Sequence, residues 1–75
     1  MNLDTYRSDT LEHRVANRID DNLEQAGLRV TDALVALKVY EGNGEPDTLA
    51  AAVEHLEGAL RRAQKALTLA EVLAS

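Results

Sequence analysis

Apolar residues in the second half of the chain recur at alternating steps of four and three. The set comprises Leu49, Val53, Leu56, Leu60, Ala63, Leu67, Ala70 and Ala74. A heptad pattern of this kind is typical of a helix that packs lengthwise on another helix. It predicts a helix from about residue 47 to about residue 73, together with a helical partner for it.

A second apolar stripe runs through the first half of the chain. Its members are Leu11, Val15, Ile19, Leu23, Ala26, Val30, Ala33 and Leu37. At 100° per residue they share one side of a helix, which predicts a helix over about residues 9–40 with Ser8 or Asp9 as its N-cap. Gly27 costs about 1 kcal/mol relative to alanine inside a helix. The stripe nevertheless keeps its phase across Gly27, which favours one continuous helix.

The segment between the two stripes carries strong turn signals. Residues 41–47 include two glycines, an asparagine and Pro46, so we expect a loop over about residues 41–46. Pro46 suits the first turn of the next helix, and Asp47 suits the positive end of its dipole. A short loop makes the two helices antiparallel neighbours. The predicted fold is therefore all-α, a single antiparallel two-helix hairpin domain over residues 1–75.

The hairpin leaves its N-terminal end and its outer surfaces open. Residues 1–8 are expected to form either a flexible segment or a short N-terminal helix, and a partner or a dimer could complete the fold. The two stripes align without a gap, which predicts that they bury each other inside the hairpin. The pairs are Leu37 with Val53, Leu34 with Leu56, Val30 with Leu60, Ala26 with Ala63, Leu23 with Leu67, and Ile19 with Ala70.

Composition restricts the kinds of partner. At 75 residues with no cysteine, the chain has room for only a small core and no disulfide to support it. The net charge of −5 argues against nucleic acid or an anionic membrane as a partner, because both need a basic surface. No apolar run approaches the roughly 18 residues of a membrane span, and no signal-peptide pattern opens the chain. We therefore expect a cytoplasmic protein that does not insert into membranes.

The sequence offers no convincing chemistry for catalysis or for a cofactor. His13 and His55 lie on different predicted helices and lack further ligands at metal spacing, so both are expected at the surface. Alternating oxygen-bearing side chains in residues 41–47 resemble part of a calcium loop. However, Pro46 stands where that loop needs glycine, and Ala52 stands where it needs glutamate. We expect no catalytic residues, no metal, no cofactor and no enzyme activity.

Several apolar residues project away from the two stripes. A lone hairpin would leave them in water, and their clustering favours a binding surface for another helical protein or for a second copy. The predicted partner-binding residues are Leu28, Val35, Val39, Leu69 and Val72.

The segments 30–37 and 49–56, joined by a Gly/Asn loop with Pro46, resemble small helical-hairpin proteins of bacterial type III secretion. Two families there share this layout: the needle subunit, and the co-chaperone that keeps the needle subunit from polymerising in the cytosol. Needle subunits carry a long apolar C-terminal tail, whereas this sequence stops at Ser75, so the co-chaperone is the closer match. The resemblance implies a cytosolic heterocomplex in which one helical face lies in the groove of a partner.

Three functions are compatible with these observations. The first is an adaptor or co-chaperone that binds a helical protein. The second is a structural subunit that assembles with itself, either as a needle-like polymer or as a four-helix dimer. The third is a small acidic regulator or inhibitor of another protein.

Overall fold

Two long helices make up this protein. The computed structural model describes the backbone of residues 3–75 and the side chains of residues 11–75. Helix α1 spans Leu3–Asn43 and helix α2 spans Pro46–Ala74, and the two pack against each other along the hairpin. The predicted all-α antiparallel hairpin is confirmed.

The first helix is longer than the sequence predicts. It begins at Leu3 instead of residue 9 and ends at Asn43 instead of residue 40. Ser8 and Asp9 therefore lie within α1 and do not cap it, and residues 3–8 belong to this helix and do not form a separate one. The predicted start lies later than the observed one because it rested on apolar periodicity, which is absent from this polar segment. Expectations for residues 1–2 lie outside the described chain.

Gly27 lies inside α1 without interrupting it, as the continuous stripe predicts. The hydroxyl of Thr31 donates a hydrogen bond of 3.1 Å to the carbonyl of Gly27, one turn earlier in the helix. This is a back-bond within one continuous helix. The polypeptide therefore stays helical over 41 residues.

The connection between the helices is only two residues long, shorter than the predicted loop over about residues 41–46. Gly44 has a positive φ of 63°, and its N–H donates to the carbonyl of Tyr40 at 2.7 Å. This is the left-handed C-terminal cap that glycine forms most easily. The side-chain oxygen of Asn43 accepts the N–H of Glu45 at 2.9 Å and tightens the turn. Pro46 begins α2 as predicted, and the acidic Asp47 lies in its first turn.

The hairpin is a single layer of helices. Its Cα dimensions are 62 × 20 × 13 Å, so it is two helices wide and one helix thick. Its radius of gyration is 17.8 Å, whereas a compact domain of this length has a value of about 11 Å. A single layer has only one contact line between its helices, and the composition of that line decides which residues remain exposed.

Candidate interaction surface

Small residues form the contact line between α1 and α2, which we call the seam. Among residues 11–75, the buried apolar side chains are Ala33 on α1 and Ala52, Ala59 and Ala66 on α2. On α2 the seam follows its own steps of four and three: Thr48, Ala52, His55, Ala59, Arg62, Ala66 and Leu69. Alanines spaced by seven residues allow helix axes to approach at the short end of the usual range of about 8–10 Å.

The seam predicted from the sequence is wrong by one residue. Seven of the eight members of the predicted set on α2, all except Ala74, follow a seam residue directly, which corresponds to a rotation of about 100° around the helix. Accordingly, Leu60 and Leu67 are 58% and 60% exposed, whereas Ala59 and Ala66 are 6% and 4% exposed. The physical reason is that small side chains let the two backbones approach more closely than leucines would.

Helix α1 shows a displacement at only part of its predicted stripe. Leu23, Val30 and Leu34 are all exposed. They directly follow Asn22, Arg29 and Ala33, three of the α1 residues that contact α2 or are buried. The predicted leucine and valine pairs of residues 23–34 with residues 56–67 are therefore not buried inside the hairpin. Five other residues of the predicted stripe are half-buried or buried, namely Val15, Ile19, Ala26, Ala33 and Leu37.

Polar side chains bridge the seam at two places. The guanidinium of Arg29 donates to Nδ1 of His55 at 3.2 Å, and that of Arg62 donates to the side-chain oxygen of Asn22 at 3.4 Å. Arg29 also covers Gly58, where an added Cβ would lie 3.4 Å from its Nε. His55 is thus half-buried in the seam instead of lying free on the surface, whereas His13 is exposed.

Eight of the 14 exposed large apolar side chains of the described residues gather on one side of the hairpin. Because the helices are antiparallel, a step of one residue beyond the seam leads to the same side on both of them. We call the resulting surface the leucine face, and its side chains are 37–60% exposed. Its members are Leu23, Val30 and Leu34 from α1 with Leu49, Val53, Leu56, Leu60 and Leu67 from α2.

The residues predicted to bind a partner lie elsewhere. Leu28, Val35 and Val39 are exposed on α1, on the side away from the leucine face, and we call them the back patch. Val72 is also exposed but lies near the other end of the hairpin. Leu69 is half-buried and lines a groove between the helices beside Arg18 and Asn22. The structure therefore brings together three of the five predicted residues.

The leucine face was missed because its residues were assigned to the interior of the hairpin. The signal was present in the sequence, since Thr48, Ala52, Ala59 and Ala66 form a second heptad one residue earlier. A periodicity based on large apolar residues gives alanine and threonine little weight. Two heptads one residue apart, one of small residues and one of large residues, were thus interpreted as a single heptad.

Within the described residues, the surface has no feature of a metal centre, because no three His, Asp or Glu side chains gather as a candidate cluster. Across residues 3–75, neither helix combines the length and the apolar character needed to cross a membrane. Comparisons with protein-family models, curated proteins and solved structures find no match for this chain. The leucine face contains most of the exposed large apolar side chains of the described residues.

Proposed function

We propose that the protein is a non-enzymatic interaction module of the adaptor or co-chaperone type, which acts in the cytoplasm by docking its leucine face onto a helical partner. The observation that carries the proposal is the placement of eight large apolar side chains on one side of a single-layer hairpin. Apolar surfaces of this extent on small proteins generally mark binding sites.

The energetics of such docking are adequate. Complete burial of a leucine or valine side chain contributes about 1.5–3 kcal/mol. These residues are already partly covered, so each adds a fraction of that value. Association itself costs about 4–15 kcal/mol, and eight residues together can exceed this cost. The face therefore fits a partner that contributes one or two amphipathic helices and excludes water from the whole length of the surface.

The resemblance to needle-subunit co-chaperones suggests one form of this function. In it, the hairpin would shield an aggregation-prone helix of a secreted subunit, or would lie in the groove of a larger chaperone. The leucine face supports this form because its 4–3 spacing on α2 suits lengthwise packing on another helix.

Two double variants test the proposal. Leu56→Asp with Leu60→Asp places two charges in the leucine face, and Val35→Asp with Val39→Asp makes the matched change in the back patch. All four side chains are exposed in the hairpin, so both variants should retain its helicity by circular dichroism. Partners that co-purify with the tagged chain are identified, and the purified partner is then titrated by calorimetry.

We expect the leucine-face variant to lose at least about 100-fold in affinity, because a loss of about 3 kcal/mol corresponds to that factor. The back-patch variant should bind like the wild type. Loss of binding in the back-patch variant alone would overturn the proposal and would transfer the site to the residues predicted from the sequence.

A further inference from the structure

The hairpin has a single layer of helices, and its dimensions indicate what kind of second layer would fit. Stable domains consist of at least two packed layers, and this protein has one, 20 Å wide and 13 Å thick. A second layer packed at the usual helix spacing of about 8–10 Å would give a nearly square cross-section. That is the cross-section of a four-helix bundle, which another hairpin of the same length would complete.

The accessible surface leads to the same conclusion. The chain exposes 5939 Å², whereas a compact protein of 8.2 kDa exposes about 4,500 Å². The excess of about 1,400 Å² is larger than the roughly 800 Å² that each partner buries in a typical stable interface. The hairpin therefore has enough excess surface for one interface of typical size between its leucine face and another hairpin.

We propose that a second copy of this chain covers the leucine face when the partner is absent, forming a four-helix homodimer. This dimer rests on the proposed function, because it uses the same leucine face. It adds the state of the protein before a partner binds. The face draws on both helices, so it can meet itself across a two-fold axis as an isologous interface. Its α2 half also carries the heptad spacing that such packing needs. A helical partner must then displace the second copy before it can bind.

Charge gives the dimer a distinctive salt response. Each copy carries a net charge of −5, so two copies repel each other over the distance that salt can screen. Added salt should therefore strengthen self-association. A basic partner on the same face would show the opposite response, which separates a second copy from a partner of opposite charge.

Sedimentation velocity over low to high micromolar concentrations, at low and high salt, tests the proposal. We expect the wild type to sediment with twice the 8.2 kDa mass of one chain and to dissociate on dilution, more readily at low salt. The Leu56→Asp, Leu60→Asp variant should remain monomeric throughout. The Val35→Asp, Val39→Asp variant should behave like the wild type.

A second measurement does not depend on the folding of the charged variants. The chain has no cysteine, so a single introduced thiol reports its own exposure. Ala63→Cys places a thiol beside Leu60 and Leu67, and Ala50→Cys places one on the outer side of α2. Alkylation of the first thiol should slow by about tenfold or more as concentration rises past dimer formation, whereas alkylation of the second should not change.

Each possible result has a definite meaning. A wild type that stays monomeric and helical at every concentration overturns the dimer. It does not affect the proposed docking of a partner, which the calorimetric titration tests separately. A dimer that persists in the leucine-face variant and disappears in the back-patch variant overturns the leucine-face dimer, whereas partner docking is still judged by the titration of the partner. Species that grow beyond the dimer overturn the closed four-helix arrangement, since an open contact would then be responsible.

Discussion

Replacement of Ala52 by leucine tests the central feature of the fold, the small-residue seam. Ala52 is 1% exposed and lies where α2 packs on α1 near the turn. Leucine adds three carbon atoms at a position with no free space. The two helices must then separate locally, and neighbouring alanines lose their contacts, so we expect Ala52→Leu to destabilise the hairpin.

The expected loss is a large part of the total stability. Overpacking of a tight contact costs about 1–3 kcal/mol. A core of this size rarely supplies more than about 3–5 kcal/mol. For a domain of this length, a loss of about 2 kcal/mol lowers Tm by about 8–16 °C.

Thermal melts followed by circular dichroism, at one fixed protein concentration, measure the effect. Ala50→Leu is the matched control, because Ala50 is exposed two residues away and the substitution changes helix propensity by the same amount. It should change stability by no more than about 0.5 kcal/mol. Equal Tm values for the two variants would refute the small-residue seam and would restore the leucine pairs as the packed interior.

Three further predictions concern the turn and the seam. Gly44→Ala should lower the free energy of unfolding in urea by about 1–2 kcal/mol, because the φ of Gly44 is positive. Gly42→Ala should raise it by about 0.5–1 kcal/mol, since a Cβ at this helical position meets nothing within 4 Å. A stabilised Gly44→Ala variant would contradict the capped turn. Asn43→Ala should lose about 0.5–1.5 kcal/mol with the hydrogen bond to the N–H of Glu45, and no change in Tm would show that bond to be unimportant. A double-mutant cycle on Arg29→Ala and His55→Ala should give a coupling of about 0.5–1.5 kcal/mol, and strictly additive effects would argue against the contact.

The sequence was sufficient to predict the topology of the fold. Helical periodicity in both halves predicted two helices, and the glycines, Asn43 and Pro46 predicted the turn between them. These signals are local, because turn chemistry and helix phase depend on neighbours along the chain. The continuity of α1 through Gly27 was predictable for the same reason.

The rotation of the helices about their own axes was not predictable in this way. Leucine and alanine heptads one residue apart both satisfy helical periodicity, and the choice between them depends on how closely two backbones can approach. The closest approach depends on both helices together. Gly58 on α2, for example, makes room for the side chain of Arg29 on α1, which lies over it. Hydrophobicity alone favoured the leucines, and close packing placed the alanines in the seam.

The heptad of small residues packs inside the hairpin, and the heptad of large residues lies on the exposed leucine face. Alanines bury little apolar area, so the seam alone gives the hairpin a weak core, while the leucines that could supply most of the hydrophobic stabilisation remain half in water. Further hydrophobic stabilisation is therefore available to the chain when another surface covers these leucines. It follows that the fold should be more stable at higher protein concentration and in the presence of a partner, because whatever covers the leucine face also holds the two helices in place.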